Sequence, residues 1–267
     1  METETKKTET KKRIRIAAIG DLHVRDTDRG KWKDYFAAIN READILVIAG
    51  DITDTGDEDE ATLFTEELQG NHLPIVGVLG NHDYEKGRHK IIKEILSQAN
   101  MQVLDGESTV IEGIGFAGIK GFGGGFGPRM LARFGEDMMK SFVQEAVDEG
   151  LKLERALSRL GQHRGKVTKI AVMHYAPIPE TVEGEPREIY PFLGSSRLLE
   201  PLQRTTVAAV FHGHAHMGQY EGETPDGTKV WNVSLPVLAR QGKPHPFHLL
   251  EIEVDEVPDT FERLPIK

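Results

Sequence analysis

Seven side chains have the chemistry to hold metal ions, and they fall in short clusters: Asp21-Leu-His23, Asp51, Asn81 within Gly80-Asn-His-Asp83, His174, and His214-Ala-His216. All are nitrogen or oxygen donors, and with no cysteine in the chain a metal here has no thiolate to use. Residues i and i+2 of an extended segment project to the same side about 6.5 Å apart. Asp21 with His23, and His214 with His216, can therefore each face one point. Gly20, Gly50, Gly80 and Gly213 stand before four of the clusters, where the backbone must turn sharply and approach an ion closely. A lone hydrolytic zinc needs three protein ligands and a water, so seven candidates argue for two ions. A shared carboxylate, most simply Asp51, would hold them about 3.5 to 4 Å apart. Taken singly, each residue has a plainer reading, as a turn former, a helix cap or a packed histidine.

Such a gathering needs a scaffold that brings distant segments to one edge, and the carboxyl ends of parallel strands do this. Residues 14–20, 44–50 and 74–80 are Ile- and Val-rich runs of strand length, each ending in glycine and then a ligand-type side chain. Between and after them, Trp32, Phe36 and Ile39, then Leu63, Phe64 and Leu68, then Ile91, Ile92, Ile95 and Leu96 recur at helical spacing. The second half changes character. Residues 109–121 read as a hairpin, and 168–174, 207–212, 229–235 and 247–254 as further strands, which together predict two packed sheets. A helical insertion is expected at about 129–161, where Leu131, Phe134, Met138, Phe142, Val147, Leu151, Leu157 and Leu160 fall at helical intervals. Without an internal repeat or a Pro- or Ser-rich linker, the expectation is a polar, disordered tail over 1–13 followed by one domain over 14–267.

The chain has 267 residues, enough for a full core, and its 33 Lys and Arg against 43 Asp and Glu give a net charge of -10. That balance opposes a partner held by phosphate neutralisation over a wide surface, so nucleic acid is disfavoured. No stretch approaches 18 uninterrupted apolar residues and the opening METETKKTETKKR is no signal peptide, so the expected compartment is the cytoplasm, with no membrane partner. Asn232-Val-Ser234 spells a glycosylation sequon and is read as chance.

In chain order the clusters read D-x-H, G-D, G-N-H-D, H and G-H-x-H, and from Asp21 to His216 they resemble the calcineurin-like metallophosphoesterases. Five ordered blocks carry that signal, where D-x-H alone would carry almost none. The resemblance implies an α/β fold, a four-layer α/β/β/α sandwich of two mixed sheets flanked by helices. It also implies a ligand allocation, with Asp21, His23, Asp51 and His216 around one ion and Asp51, Asn81, His174 and His214 around the other. The ions would be Mn²⁺, or Fe, Zn or a mixed pair, since imidazole and carboxylate suit several first-row metals. The implied reaction is hydrolysis of a phosphoester by a metal-bridging hydroxide at a dinuclear centre. Two divalent ions against the carboxylates of Asp21 and Asp51 leave about two positive charges, which attract a phosphate and lower the pKa of a bridging water toward about 7. His82 is left over from the ligand set and is suited to stabilise the phosphoryl group or protonate the leaving oxygen. Asp83 would orient His82 and raise its pKa, and Asp54 is a candidate acceptor for a ligand or for His82.

Within the family, the Ser/Thr protein-phosphatase branch follows G-D with D-R-G, whereas Asp54-Thr-Gly56 stands here, and the G-H-A-H block looks more like the small-molecule phosphodiesterase branch. The expected substrate is thus a small-molecule phosphodiester or phosphomonoester. A nuclease is the alternative, but it would show a basic track. An inactive metal-binding scaffold would have lost a ligand, and none is missing. Gly113-Ile-Gly-Phe-Ala-Gly118 spells a dinucleotide fingerprint but sits in a strand-turn-strand setting, and it is rejected. Gly121-Phe-Gly-Gly-Gly-Phe-Gly127 reads equally as an anion nest, a lid hinge or a loose connection. His212 is read as a buried, hydrogen-bonded histidine. Arg25, Arg129, Arg187 and Arg240 follow motif or loop positions, though the usual fate of an arginine is a solvated face.

Overall fold

Segments that are apolar at every position leave no face for water and so form the interior of a parallel sheet. In the computed structural model, which describes residues 11–163, 165 and 167–255, β2 (Ile45–Ala49) and β3 (Ile75–Val78) are buried throughout. With β1 (Lys11–Ile19) and β4 (Met101–Val103) they run parallel, and β11 (His248–Asp255) pairs antiparallel on the outside of β1. The order is β11-β1-β2-β3-β4. The second sheet contains β5 (Glu107–Ile111), β6 (Ile114–Gly118), β7 (Thr168–Val172), β8 (Ala209–His212), β9 (Glu221–Glu223) and β10 (Lys229–Asn232). Its order is β5-β6-β7-β8-β10-β9, with both edge strands antiparallel. Two mixed sheets are therefore present, as expected.

The sheets face each other through β2 against β7 and β3 against β6. At Gly118 the approach is so close that an added Cβ would stand 2.6 Å from Leu104 Cβ and 2.9 Å from Val78 Cγ1. Alternate residues of the second sheet serve two cores, as the two-residue period of a strand requires. Phe116, Ile170, Val172 and Phe211 join the core of the first sheet, while Ala117, Ala171 and Val210 join a second core. Helices α1 (Lys33–Glu42), α2 (Glu58–Glu67) and α3 (His89–Gln98) supply Phe36, Ile39, Phe64, Ile92 and Leu96 to the first. The 25-residue α4 (Asp137–Gly161) supplies Leu153, Leu157 and Leu160 to the second. The expected insertion is thus one helix, and it forms the fourth layer.

Short helices α5 (Tyr190–Leu193), α6 (Leu199–Arg204) and α7 (Leu235–Ala239) complete the described chain. The expected tail 1–13 is cut short at its end, because β1 begins at Lys11, which lies opposite Asp255 of β11, and the side chains of Lys11 and Arg13 reach diagonally to Glu253 and Glu251. Residues 1–10 of that tail, and 164, 166 and 256–267 of the expected domain, lie outside the described residues. Among the described residues no helix is long and apolar enough to cross a membrane.

Candidate metal centre

The ends of β1, β2, β3, β7 and β8 converge where the two sheets meet, and main-chain bonds carry the ladder beyond the strands. Asp21 donates to Gly50 at 3.0 Å, His23 to Asp51 at 3.1 Å and Gly213 to His174 at 3.1 Å. The His174 ring crosses between the sheets, its Nδ1 donating to the Ala49 carbonyl at 2.9 Å. Four residues expected to ligate a metal have a left-handed backbone, with φ of 56° at Asp21, 45° at His23, 47° at Asp51 and 70° at His214. Each such conformation costs on the order of 1–3 kcal/mol outside glycine and persists only where the surroundings enforce it.

The glycines before these residues do something other than turn. Only Gly50 among the four has a positive φ. A Cβ at Gly80 would overlap the carboxylate and amide of Asp51, one at Gly213 the carboxylate of Asp21, and one at Gly50 the ring of His174. The missing side chains are the space that the ligand side chains fill. Gly80→Ala should therefore push Asp51 off its position and weaken metal binding by about 10- to 100-fold, the range seen when a ligand loses its support. Isothermal titration with Mn²⁺ checks this, and wild-type affinity in the variant would contradict it.

All seven expected ligands meet. Donor atoms of Asp21, His23 and His216 lie within 4.8 Å of one another, as do those of Asp51, His174 and His214. His216 Nε2 is 2.9 Å from Asp21 Oδ1, and Asn81 Oδ1 is 2.9 Å from His174 Nε2. One oxygen, Asp51 Oδ2, faces both groups, 3.3 Å from His174 Nε2 and 3.8 Å from His23 Nε2. Its partner Oδ1 accepts the His82 main-chain N–H at 2.9 Å.

The site fits a pair of divalent cations. His23 Nε2 is buried and has no hydrogen-bond partner. A carbonyl can only accept, so the Ala49 carbonyl keeps the proton of His174 on Nδ1, and the Phe192 carbonyl, 3.0 Å from His214 Nε2, keeps that of His214 on Nε2. In its neutral form each ring then has its lone pair on the other nitrogen, as a metal ligand requires, and a metal at His174 would displace the second proton that Asp51 favours there. Burial pushes His214 down to about 4, helped by the charge of His174, and burial likewise lowers His23, so both rings are neutral and ready to ligate. Burial opposes charge on Asp51 and His174 alike. Their mutual attraction and hydrogen bond prevail, holding Asp51 below the usual carboxylate range and raising His174. The Asp21 hydrogen bond raises His216.

Around the ligands, Asp54 touches both His23 and His82. Its carboxylate Oδ1 lies 3.4 Å from His23 Nδ1, and its main-chain carbonyl lies 2.6 Å from His82 Nδ1. Arg25 Nε in turn holds Asp54 at 2.9 Å, and Arg240 donates to the carbonyls of His216, Met217 and Gly218. Two of the four arginines thus brace site loops. His82 packs edge-on against His23, with centroids 4.5 Å apart. His212 is buried as expected, bonded to Gly213 and Thr181.

Asp83 needs correction. None of its hydrogen bonds goes to the His82 ring. Its oxygens accept from Gly80 N at 2.8 Å, Thr53 N at 2.8 Å, Thr53 Oγ1 at 2.6 Å and Ile52 N at 3.3 Å, so it ties the loop after β3 to the loop after β2. Burial and the charge of Asp51 push it up to about 6, against the pull of the Thr53 and Gly80 hydrogen bonds. Asp83→Asn should cost about 1–3 kcal/mol of stability, because the amide cannot accept at both positions and leaves buried donors unmet. The urea midpoint should fall while the dependence of rate on leaving group stays as in wild type. A changed leaving-group dependence would return Asp83 to a role on His82. Thr53 is the residue that Asp83 grips.

The sequence profile of the calcineurin-like phosphoesterase family matches residues 14–218, and the chain belongs to that family. The phosphopantetheinyl hydrolase of Mycobacterium tuberculosis shares the fold, with a TM-score of 0.62 and 16% identity over 94% of this chain and 98% of that one. A Thermus thermophilus protein aligns with a TM-score of 0.53 and 15% identity over 88% and 97% of the two chains. A Fibrobacter succinogenes protein named as a probable cyclic nucleotide phosphodiesterase is 30% identical over 82 residues. That match spans 27% of this chain and about a third, 32%, of the relative's length.

Proposed function

We propose that residues 14–267 act as one catalytic domain that hydrolyses a small-molecule phosphodiester or phosphomonoester at a dinuclear centre. The observation that carries this reading is Asp51 Oδ2, a single carboxylate oxygen facing the donors of both ligand groups. Bound there, two divalent ions would supply the Lewis acidity that makes water a nucleophile near neutral pH and take up charge on the phosphoryl oxygens. Asp21, His23, Asp51 and His216 would hold one, and Asp51, Asn81, His174 and His214 the other. Manganese is the first metal to test, and iron, zinc or a mixed pair also suit these donors.

His82 is the proton donor in this proposal. The Asp54 carbonyl holds one proton on Nδ1, so it is the imidazolium form, with a second proton on Nε2, that passes that proton to the leaving oxygen as the P–O bond breaks and is left as the neutral ring. Asp54 and Arg25 position His23 and His82, and Asp83 holds the two loops together. The diesterase side of the reading draws support from the G-H-A-H block and from the name of the Fibrobacter relative. A net charge of -10 favours a small substrate over a long polyanion.

Turnover of bis-p-nitrophenyl phosphate and p-nitrophenyl phosphate with and without added Mn²⁺ tests the proposal. Manganese-dependent release of nitrophenolate is the expected outcome. Full activity after exhaustive chelation, or none with any first-row metal, would overturn it, and cleavage confined to DNA or RNA would move the protein to the nucleases.

A further inference from the structure

Large apolar side chains lie exposed beside the metal centre. Phe192 in α5 is 58% exposed, yet its main-chain carbonyl is the group that takes the His214 hydrogen bond. The Phe192 ring stands edge-on to Phe142 of α4 with centroids 6.0 Å apart, and Phe142 meets Phe122 at 4.8 Å. Phe122 meets Tyr175 at 5.8 Å, and Tyr175 lies 4.4 Å from the His214 ring. Four rings thus form a wall that begins at a proposed ligand and ends in water. Met138 and Met139, one helical turn before Phe142, are 82% and 41% exposed. Folding gains nothing from leaving such groups in solvent, and contiguous apolar surface beside a polar site marks where a ligand rests.

The glycine-rich segment 121–127 holds that wall in place. A Cβ at Gly123 would overlap the Pro191 carbonyl and stand 3.2 Å from Phe192 Cα. The Gly124 N–H donates to Pro191 at 2.6 Å, and the Gly125 N–H donates to Gly194 at 2.9 Å. These amides are spent on the α5 segment, so they form a seat for Phe192 and no anion nest.

We propose that Phe192 is a specificity-determining residue whose exposed face stacks on a flat aromatic ring in the organic part of the substrate, while the phosphoryl group occupies the metal centre. The inference rests on the reading of that centre as a phosphoesterase site. A phenyl face stacks on planar rings with little regard to their hydrogen-bonding pattern, so it selects for an aromatic group without choosing among them.

Calorimetric titration of phenylphosphonate and methylphosphonate into the manganese-loaded protein compares two ligands with one anionic head. Phenylphosphonate should bind about tenfold more tightly to the wild type, a stacking effect of ordinary size. Phe192→Ala should remove that margin and Phe192→Trp should keep it, both variants retaining the main-chain carbonyl that holds His214. Equal affinities in the wild type, or a margin that survives in Phe192→Ala, would overturn the inference alone. So would a dimer that dissociates in Phe192→Ala, which would assign the ring to a second copy of the chain. Failure of both phosphonates to bind the wild type would overturn the metal-centre reading together with this one.

Discussion

Asp51→Asn should release both metal ions and lower kcat/KM by about a thousandfold or more, a loss of about 4 kcal/mol from the centre's stabilisation of the transition state. Asparagine keeps the size of the side chain, and its carbonyl can still accept the His82 N–H that now goes to Oδ1. What it loses is the charge, and in place of the Oδ2 that faces His23 and His174 it sets an amide that cannot ligate. Both groups of donors are then short of a ligand at once. Metal content after gel filtration should fall from two ions per chain toward zero. A variant that keeps two tightly held ions would show that the bridge is elsewhere. Asp54→Asn is the control, because its side chain meets only His23 and Arg25 while the main-chain carbonyl on His82 is kept, and it should weaken the metals by no more than about 10- to 100-fold.

His82→Ala should leave metal content near that of the wild type, since the ring is no part of either ligand group. Its effect should depend on the leaving group. For an alkyl ester, whose oxygen must be protonated as it departs, kcat should drop by about 10²- to 10⁴-fold. For a nitrophenyl ester, whose anion leaves unaided, the drop should be far smaller. Steady-state rates on both substrates give the answer. An equal loss on the two would take the proton-donor role away from His82 and leave it only a part in binding.

Much of the site could be read from residue order, because each ligand follows a strand and strand ends must converge. Asp21, Asp51, His174 and His214 needed no side-chain detail to be placed together. Residues 81–83 were harder, and the reason is local. His82–Tyr84 is a 3-10 turn, where three residues complete a revolution, so neighbours point in different directions. Asn81 faces His174, His82 faces the Asp54 carbonyl, and Asp83 faces inward to the amides of Gly80 and Thr53. Adjacency in sequence suggested a contact that the turn forbids.

The strand-end glycines carried a similar trap. Their presence was visible, but their purpose depends on side chains arriving from other strands, which no linear reading reveals. β4 and β9 were missed because each has only three residues, too few for an alternation to stand out. Phe192 lies outside every motif, and its meaning rests on a main-chain contact with His214 that only folding creates.

The most direct test of the central claim is anomalous diffraction from crystals grown with manganese. Two peaks about 3.5 to 4 Å apart, one on either side of Asp51 Oδ2, are the predicted result. A single peak, or a pair that leaves Asp51 to one side, would contradict it.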